Sequence, residues 1–212
     1  MAQKLKKALT MTDLLRIKRK LYEFEGEWEE AFGRPEQGGI WFIWGKSGNG
    51  KTSFVLQLCK ELTRHGKVGY NSLEEGRALT IQNSLVRVGM CDVGKNFVLL
   101  QDTMEELDIR LKRRRAPDIV IIDSFQEAHL SIKEYHEFCS HHPKKLLIFI
   151  SQTEGCQPMG RDAQAAIFIA SLKIWVEGYR AISKGRYYGN RGYYNIWKER
   201  ADKYWCKHTG EK

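Results

Sequence analysis

The 212-residue chain has no run of 18 apolar residues, the length at which a helix becomes a candidate to cross a bilayer, so no membrane span is expected. Its first fifteen residues, MAQKLKKALTMTDLL, are basic but lack the apolar segment of a secretory signal. Cysteine is sparse and odd in number: Cys59, Cys91, Cys139, Cys156 and Cys206, with no C-x-x-C pair. That pattern argues against a disulfide framework and predicts free thiols in a reducing, cytoplasmic setting. His136, Cys139, His141 and His142 do bring zinc-ligand types together, but the spacing H-x-x-C-x-H-H fits no closed tetrahedral site. Internal repeats are absent. Negative charge is in deficit, with 26 Asp and Glu against 35 Lys and Arg and a net charge of +9. The excess favours a polyanionic partner without identifying one.

What the chain does have is concentrated in residues 40–52, IWFIWGKSGNGKT. Ile40 to Trp44 mixes β-branched and aromatic residues and predicts a buried strand. Gly45, four intervening residues, then Gly50, Lys51 and Thr52 satisfy G-x-x-x-x-G-K-[ST]. Phe54, Val55, Leu58 and Leu62 follow at helical spacing. Strand, glycine-rich loop and helix are the context in which this motif holds a polyphosphate. Gly45, Gly48 and Gly50 let the backbone turn with positive φ, so that its N–H groups point inward at the positive end of the helix. The cradle predicted for ATP is Gly45, Lys46, Ser47, Gly48, Asn49, Gly50, Lys51, Thr52 and Ser53. Lys51 would reach the β- and γ-phosphates, and the Thr52 hydroxyl would hold Mg²⁺.

On either side of this motif the pattern predicts alternating elements. Leu14, Ile17, Leu21, Phe24, Trp28 and Phe32 recur every three to four residues, which predicts an amphipathic helix over residues 12–32, capped by Thr12 and open to a break at Gly26. It would cover a sheet edge or dock on a neighbouring subunit. Residues 1–36 are expected to form a helical extension and residues 37–212 one α/β domain. Strands are expected over 67–73, 96–100, 119–122, 145–151 and 167–174, the last with a start that helical structure would also fit. Helices are expected over 77–90, 104–115 and 131–142, and a polar loop over 153–166. The basic run Lys112 to Arg115 would complement the charge at a helix C-terminus. IVII ends in Asp123, as a metal-associated aspartate is presented at a strand end. The tail is basic and aromatic, and YYNIW reads as a late strand or hairpin arm. Arg186, Tyr187, Tyr188, Arg191, Tyr193 and Tyr194 have the composition of a single-strand platform, or of a packed hairpin with solvated charges.

Strands alternating with helices predict a mostly parallel central sheet with helices on both faces and a ligand at the strands' carboxyl ends. In this order, the P-loop, NSLEEG, DIVIIDS and LIFISQ resemble the RecA-like ATPase core of RecA, RadA and the DnaB-type helicases. The resemblance covers residues 38–200 and implies roles. Glu74 would be the catalytic glutamate, with Glu75 its rival. Asp123 would hold Mg²⁺ with Thr52, and Gln152 would sense the γ-phosphate. The segment SKGRYYG (183–189) is similar to the K-N-R-F-G element of RadA-type proteins, although Gly stands in place of Asn and one aromatic is extra. It implies that Lys184 and Arg186 act on a neighbour's nucleotide in a homo-oligomeric ring or filament. Without the added domains of replicative helicases or bacterial RecA, the chain resembles a minimal phage or prophage recombination ATPase acting with single-stranded DNA. Two other functions fit the same motif, a P-loop kinase and a nucleotide-dependent assembly protein.

Overall fold

A computed structural model describes residues 8–209. The chain runs through α1 (Met11–Leu15), α2 (Glu27–Phe32), β1 (Gly39–Gly45), α3 (Lys51–Leu62), β2 (Val68–Ser72), α4 (Leu79–Val88) and β3 (Phe97–Leu100). It continues through α5 (Met104–Leu111), β4 (Ile119–Asp123), α6 (Ile132–His141) and β5 (Leu146–Ser151). The last part holds the short arms β6 (Thr153–Glu154) and β7 (Gln157–Pro158), α7 (Arg161–Ala166), β8 (Leu172–Glu177), β9 (Arg180–Ser183), β10 (Tyr193–Asn195) and α8 (Lys198–Thr209). One eight-stranded sheet has the order β10-β9-β8-β1-β5-β4-β2-β3. It is parallel from β8 to β3 and antiparallel from β8 to β10.

Apolar residues on consecutive positions of the central strands are explained by burial on both faces. Alternate side chains point to opposite sides. Trp41, Ile43, Ile119, Ile121 and Ile148 face α3, joining Phe54, Val55 and Leu58. Phe42, Trp44, Val120, Ile122, Leu147 and Phe149 face the other way, joining Leu107, Tyr135, Phe138 and Ala163 of α5, α6 and α7. IVII therefore needs no polar position, because neither face of β4 meets water.

Five expectations are corrected. The helix over 12–32 is replaced by α1, an extended segment and α2. Tyr22 and Phe24 are buried while Glu23 and Glu25 are exposed. That two-residue alternation belongs to extended chain and outweighs the helical spacing. Tyr22 and Phe24 pack edge-on to Trp41, and Tyr22 N–H donates to the Pro35 carbonyl at 2.7 Å. Thr10 rather than Thr12 caps α1, in a capping box with Asp13. The helix after Thr103 stops at Leu111, so residues 113–115 lie outside it. Residues 153–166, expected as a loop, hold the β6–β7 hairpin and α7. Finally, α8 occupies a stretch for which no helix was expected.

The segment before β1 lies against the last hairpin. Trp28 stacks on Tyr194 with ring centroids 4.2 Å apart. Arg191 pairs with Glu30 at 3.1 Å and its backbone N–H donates to the Glu30 carbonyl at 2.8 Å. A Cβ on Gly189 would lie 2.0 Å from the Glu29 carbonyl oxygen, so only glycine lets the two backbones approach this closely.

Candidate nucleotide-binding site

The glycine-rich loop leaves β1 at Gly45 and enters α3 at Lys51. A Cβ on Gly45 would fall 2.1 Å from the Val176 carbonyl oxygen of the neighbouring β8. Gly48 and Gly50 have φ of 76° and 94°, a region favourable to glycine. Asn49 fastens the loop. Its amide donates to the Ser47 carbonyl at 3.2 Å, and its side-chain oxygen accepts from Gly178 N–H at 2.8 Å. Gly178 and Tyr179, with φ of 52° and 58°, form the two-residue turn between β8 and β9, as hairpin twist demands.

A cleft of about 470 Å³ opens over the carboxyl ends of the strands. Lys46, Ser47, Lys51, Thr52, Glu74, Asp123 and Gln152 all line it. Residues far apart in sequence converge there because β2, β4, β5 and β1 end side by side. Lys51 Nζ donates to the Gly45 carbonyl at 2.6 Å. Burial pushes its ammonium below the ordinary lysine value, against the pull of Asp123 and Glu74. Burial raises the Asp123 carboxyl to about 6, opposed by a hydrogen bond from the Tyr70 hydroxyl and reinforced by Glu74 and Glu75. A half-buried carboxylate with two acidic neighbours and a threonine hydroxyl lining the same cleft suits a hard divalent cation. The glycine cradle and Lys51 likewise fit a polyphosphate.

Glu74 and Glu75 both follow the end of β2 at Ser72, so strand alternation does not separate them. Their surroundings do. Both line the cleft and act on Asp123, but Glu75 accepts from the Thr80 hydroxyl at 2.7 Å, while Glu74 also acts on Lys51. Gln152, exposed just beyond β5, donates its backbone N–H to Gln126 Oε1 at 3.2 Å. Gln126 Nε2 also donates to Ser151 Oγ and to the Met159 carbonyl, each at 2.9 Å. Gln126 thus ties the end of β5 to the far side of the β6–β7 hairpin.

Lys184 and Arg186 do not enter this cleft. Lys184 N–H donates to the Lys173 carbonyl at 2.7 Å and Arg186 N–H to the Ser171 carbonyl at 3.1 Å, beside the start of β8. Since β8 runs parallel to β1, both lie toward the strands' amino ends, away from their own P-loop.

A second cleft of about 720 Å³ adjoins the other side of the loop, with Gln57, Arg87, Tyr179, Trp197 and Arg200 among its walls. The Arg200 guanidinium lies 4.2 Å from the Trp197 ring centroid and donates to the Tyr179 hydroxyl at 2.9 Å. Sequence reasoning missed these residues, together with Tyr70 and Gln126. The motif spacing held no signal for them, because each reaches the site through tertiary packing. Cys59, Cys91, Cys139 and Cys156 are free thiols. His141 and His142 both bond Asp108, at 3.1 and 2.9 Å. Among the described residues no helix is long and apolar enough to cross a membrane.

The chain matches no protein-family model and no curated protein sequence. Its fold is similar to that of the flagellar accessory protein FlaH from Methanocaldococcus jannaschii, with a TM-score of 0.59 and 14% identity over 84% of this chain and 92% of that one. A KaiC-like protein from Pyrococcus horikoshii OT3 gives a TM-score of 0.59 and 15% identity, covering 84% of this chain and 98% of the other. A third solved structure, an ATPase domain, gives a TM-score of 0.51 and 16% identity, covering 76% of this chain and 82% of that one. The chain therefore has the RecA-like P-loop fold, with a mostly parallel sheet and a C-terminal antiparallel hairpin.

Proposed function

We propose that this protein is a Mg²⁺-dependent ATP hydrolase that works in a homo-oligomer and couples turnover to single-stranded DNA, in recombination, repair or replication of the phage type. The observation that carries this reading is the convergence of Lys51, Thr52, Glu74, Asp123 and Gln152 on one cleft at the start of α3. The loop amides and Lys51 hold the phosphates, and the adjoining cleft with Tyr179 and Trp197 receives base and sugar. Thr52 and Asp123 would hold Mg²⁺, which supplies positive charge against the phosphate oxygens. Glu74 orients the attacking water and takes its proton. Gln152 contacts the γ-phosphate, and Gln126 links its backbone to the hairpin at residues 153–158.

Lys184 and Arg186, remote from their own cleft, act on the nucleotide of the next subunit. The coupling to single strands rests on the exposed Arg186 and on Tyr188, 73% exposed. Tyr194 and Arg191 are already engaged with α2, Tyr187 packs against the core and Tyr193 lies against Arg180 and Arg191, which narrows the tail platform to Arg186 and Tyr188. The test is ATP turnover with and without single-stranded DNA, alongside the mass of the assembly. Lys51→Ala should lower turnover by about two to three orders of magnitude, as loss of one transition-state donor does, with an unchanged circular dichroism spectrum. Undiminished turnover in that variant, or a phosphorylated acceptor in place of free phosphate, would refute the reading.

A further inference from the structure

The carboxyl ends of the strands form the nucleotide cleft, and their amino ends have a separate character. Phe97, Val68, Ile119, Leu146 and Gly39 stand in register across β3, β2, β4, β5 and β1. The residues just before them therefore form one edge, about 19 Å long at the usual strand spacing. Backbone bonds close it: Asp118 N–H donates to the Lys67 carbonyl at 2.9 Å, and Leu146 N–H to the Asp118 carbonyl at 3.0 Å. Lys67 lies on this edge, with the exposed Lys95 and Lys144 one residue further out; Lys145, on the edge itself, is half-buried and donates to the Pro117 carbonyl at 2.6 Å. Beside it, residues 113–115 add three exposed arginines. Arg113, Arg114, Arg115 and Lys67 ring a hollow of about 210 Å³ floored by Val98, Leu100 and Pro117.

Lys67, Lys95, Lys144 and the three arginines have no carboxylate partner among the described residues; Lys112 is the member of the run that pairs, with Asp108. Asp118 is the one exposed acid in the row. Among the large exposed apolar residues, Met11, Leu14 and Leu15 sit on α1 and Ile109 lies on α5 beside Arg113; one isoleucine is less than the apolar insertion that a lipid surface requires. The rim also lacks the exposed aromatic anchors of a protein interface or a single-strand platform. Aligned, unpaired cations alone suit a backbone whose bases are stacked away. An edge of this length spans about five phosphates of one duplex strand.

We propose that the amino-end rim of the sheet binds the phosphodiester backbone of double-stranded nucleic acid without regard to sequence. This surface is separate from the nucleotide cleft. The probe is a fluorescent DNA duplex of about 25 base pairs in two unrelated sequences, titrated with the full chain from about 50 to about 200 mM KCl. Nucleotide is left out, so the result does not depend on whether the cleft hydrolyses ATP. Lys67→Ala/Arg113→Ala/Arg114→Ala/Lys144→Ala should weaken both duplexes at least tenfold. Each lost phosphate contact flattens the log–log salt slope by about 0.9, so the slope should fall by about 3 to 4.

The charge-conserving variant Lys67→Arg/Arg113→Lys/Arg114→Lys/Lys144→Arg should stay within twofold of wild type, which a packing role would not predict. Should the quadruple variant misfold, Arg113→Ala/Arg114→Ala alone should flatten the slope by about 2. A folded variant with unchanged affinity and slope overturns the proposal. So does wild-type protein that binds phosphatidylserine vesicles or polyglutamate but no duplex.

Discussion

Glu74 and Glu75 are adjacent, equally acidic and both at the mouth of the cleft, yet they face different partners. Thr80 engages Glu75, whereas Glu74 lies within electrostatic reach of Lys51; both reach Asp123. Glu74→Gln should keep ATP binding, read by a fluorescent analogue, and lower hydrolysis by about 10² to 10⁴, the range for a general base. Glu75→Gln should leave hydrolysis within a few-fold of wild type. The opposite result moves the assignment by one residue. The P-loop residues were legible because their chemistry is written in local spacing. Tyr70 and Gln126 were not, because each acquires its role from a strand pairing. Tyr70 meets Asp123 only because β2 lies beside β4.

Among the elements, α2 and the final hairpin depend on each other most directly. Gly189→Ala places a methyl group 2.0 Å from a backbone oxygen of α2. Overpacking of this kind costs about 1 to 3 kcal/mol, which a lowered urea midpoint should register. An unchanged midpoint would mean that α2 moves aside freely. The junction of α5 and α6 carries a pH dependence. Burial raises the Asp108 carboxyl, but hydrogen bonds from Lys112, His141 and His142 outweigh it and hold it below the ordinary value. Burial also lowers His142, against the attraction of Asp108. A histidine depressed in the fold favours folding above its unfolded value of 6.5, and that advantage is lost as pH falls below it. His142→Gln removes this contribution. Between pH 7.5 and 5.5 wild type should therefore lose more urea stability than the variant, a comparison that cancels other titrating groups.

The elements were unevenly legible in the sequence. The core strands announced themselves as apolar runs. The extended segment at Tyr22 and Phe24 was obscured because Leu21, Phe24 and Trp28 also fit a helical period. The spacing of Trp197, Ala201, Tyr204 and Trp205 is helical and could have revealed α8, but the aromatic tail drew attention to a strand.

For the whole molecule, the sheet sets where reactive groups can meet. The type of fold was legible in the order of its motifs. The position of Lys184 and Arg186 was not, because it depends on the tight turn at Gly178 and Tyr179 that sends β9 back toward the amino ends. That position makes subunit mixing decisive for shared sites. Lys51→Ala protein and Lys184→Ala/Arg186→Ala protein should each be inactive alone. Mixed, they should regain activity, because some boundaries join an intact P-loop to intact cations. Cations supplied in this way raise phosphoryl transfer by about 10³ to 10⁵, so even a minority of such boundaries would be measurable. No recovery despite subunit exchange would place both functions within one chain.

The stack of Trp28 on Tyr194 joins segments about 166 residues apart in the chain, and this matters during synthesis. Translation delivers the amino-terminal segment first. Ala31 and Phe32, fully buried in the finished protein, have no hairpin to lie against until residues 189–194 leave the ribosome. Everything between the two segments must emerge before that contact forms. Nascent chains truncated before residue 189 should therefore expose this apolar face to chaperones and to limited proteolysis, and chains released at residue 212 should not.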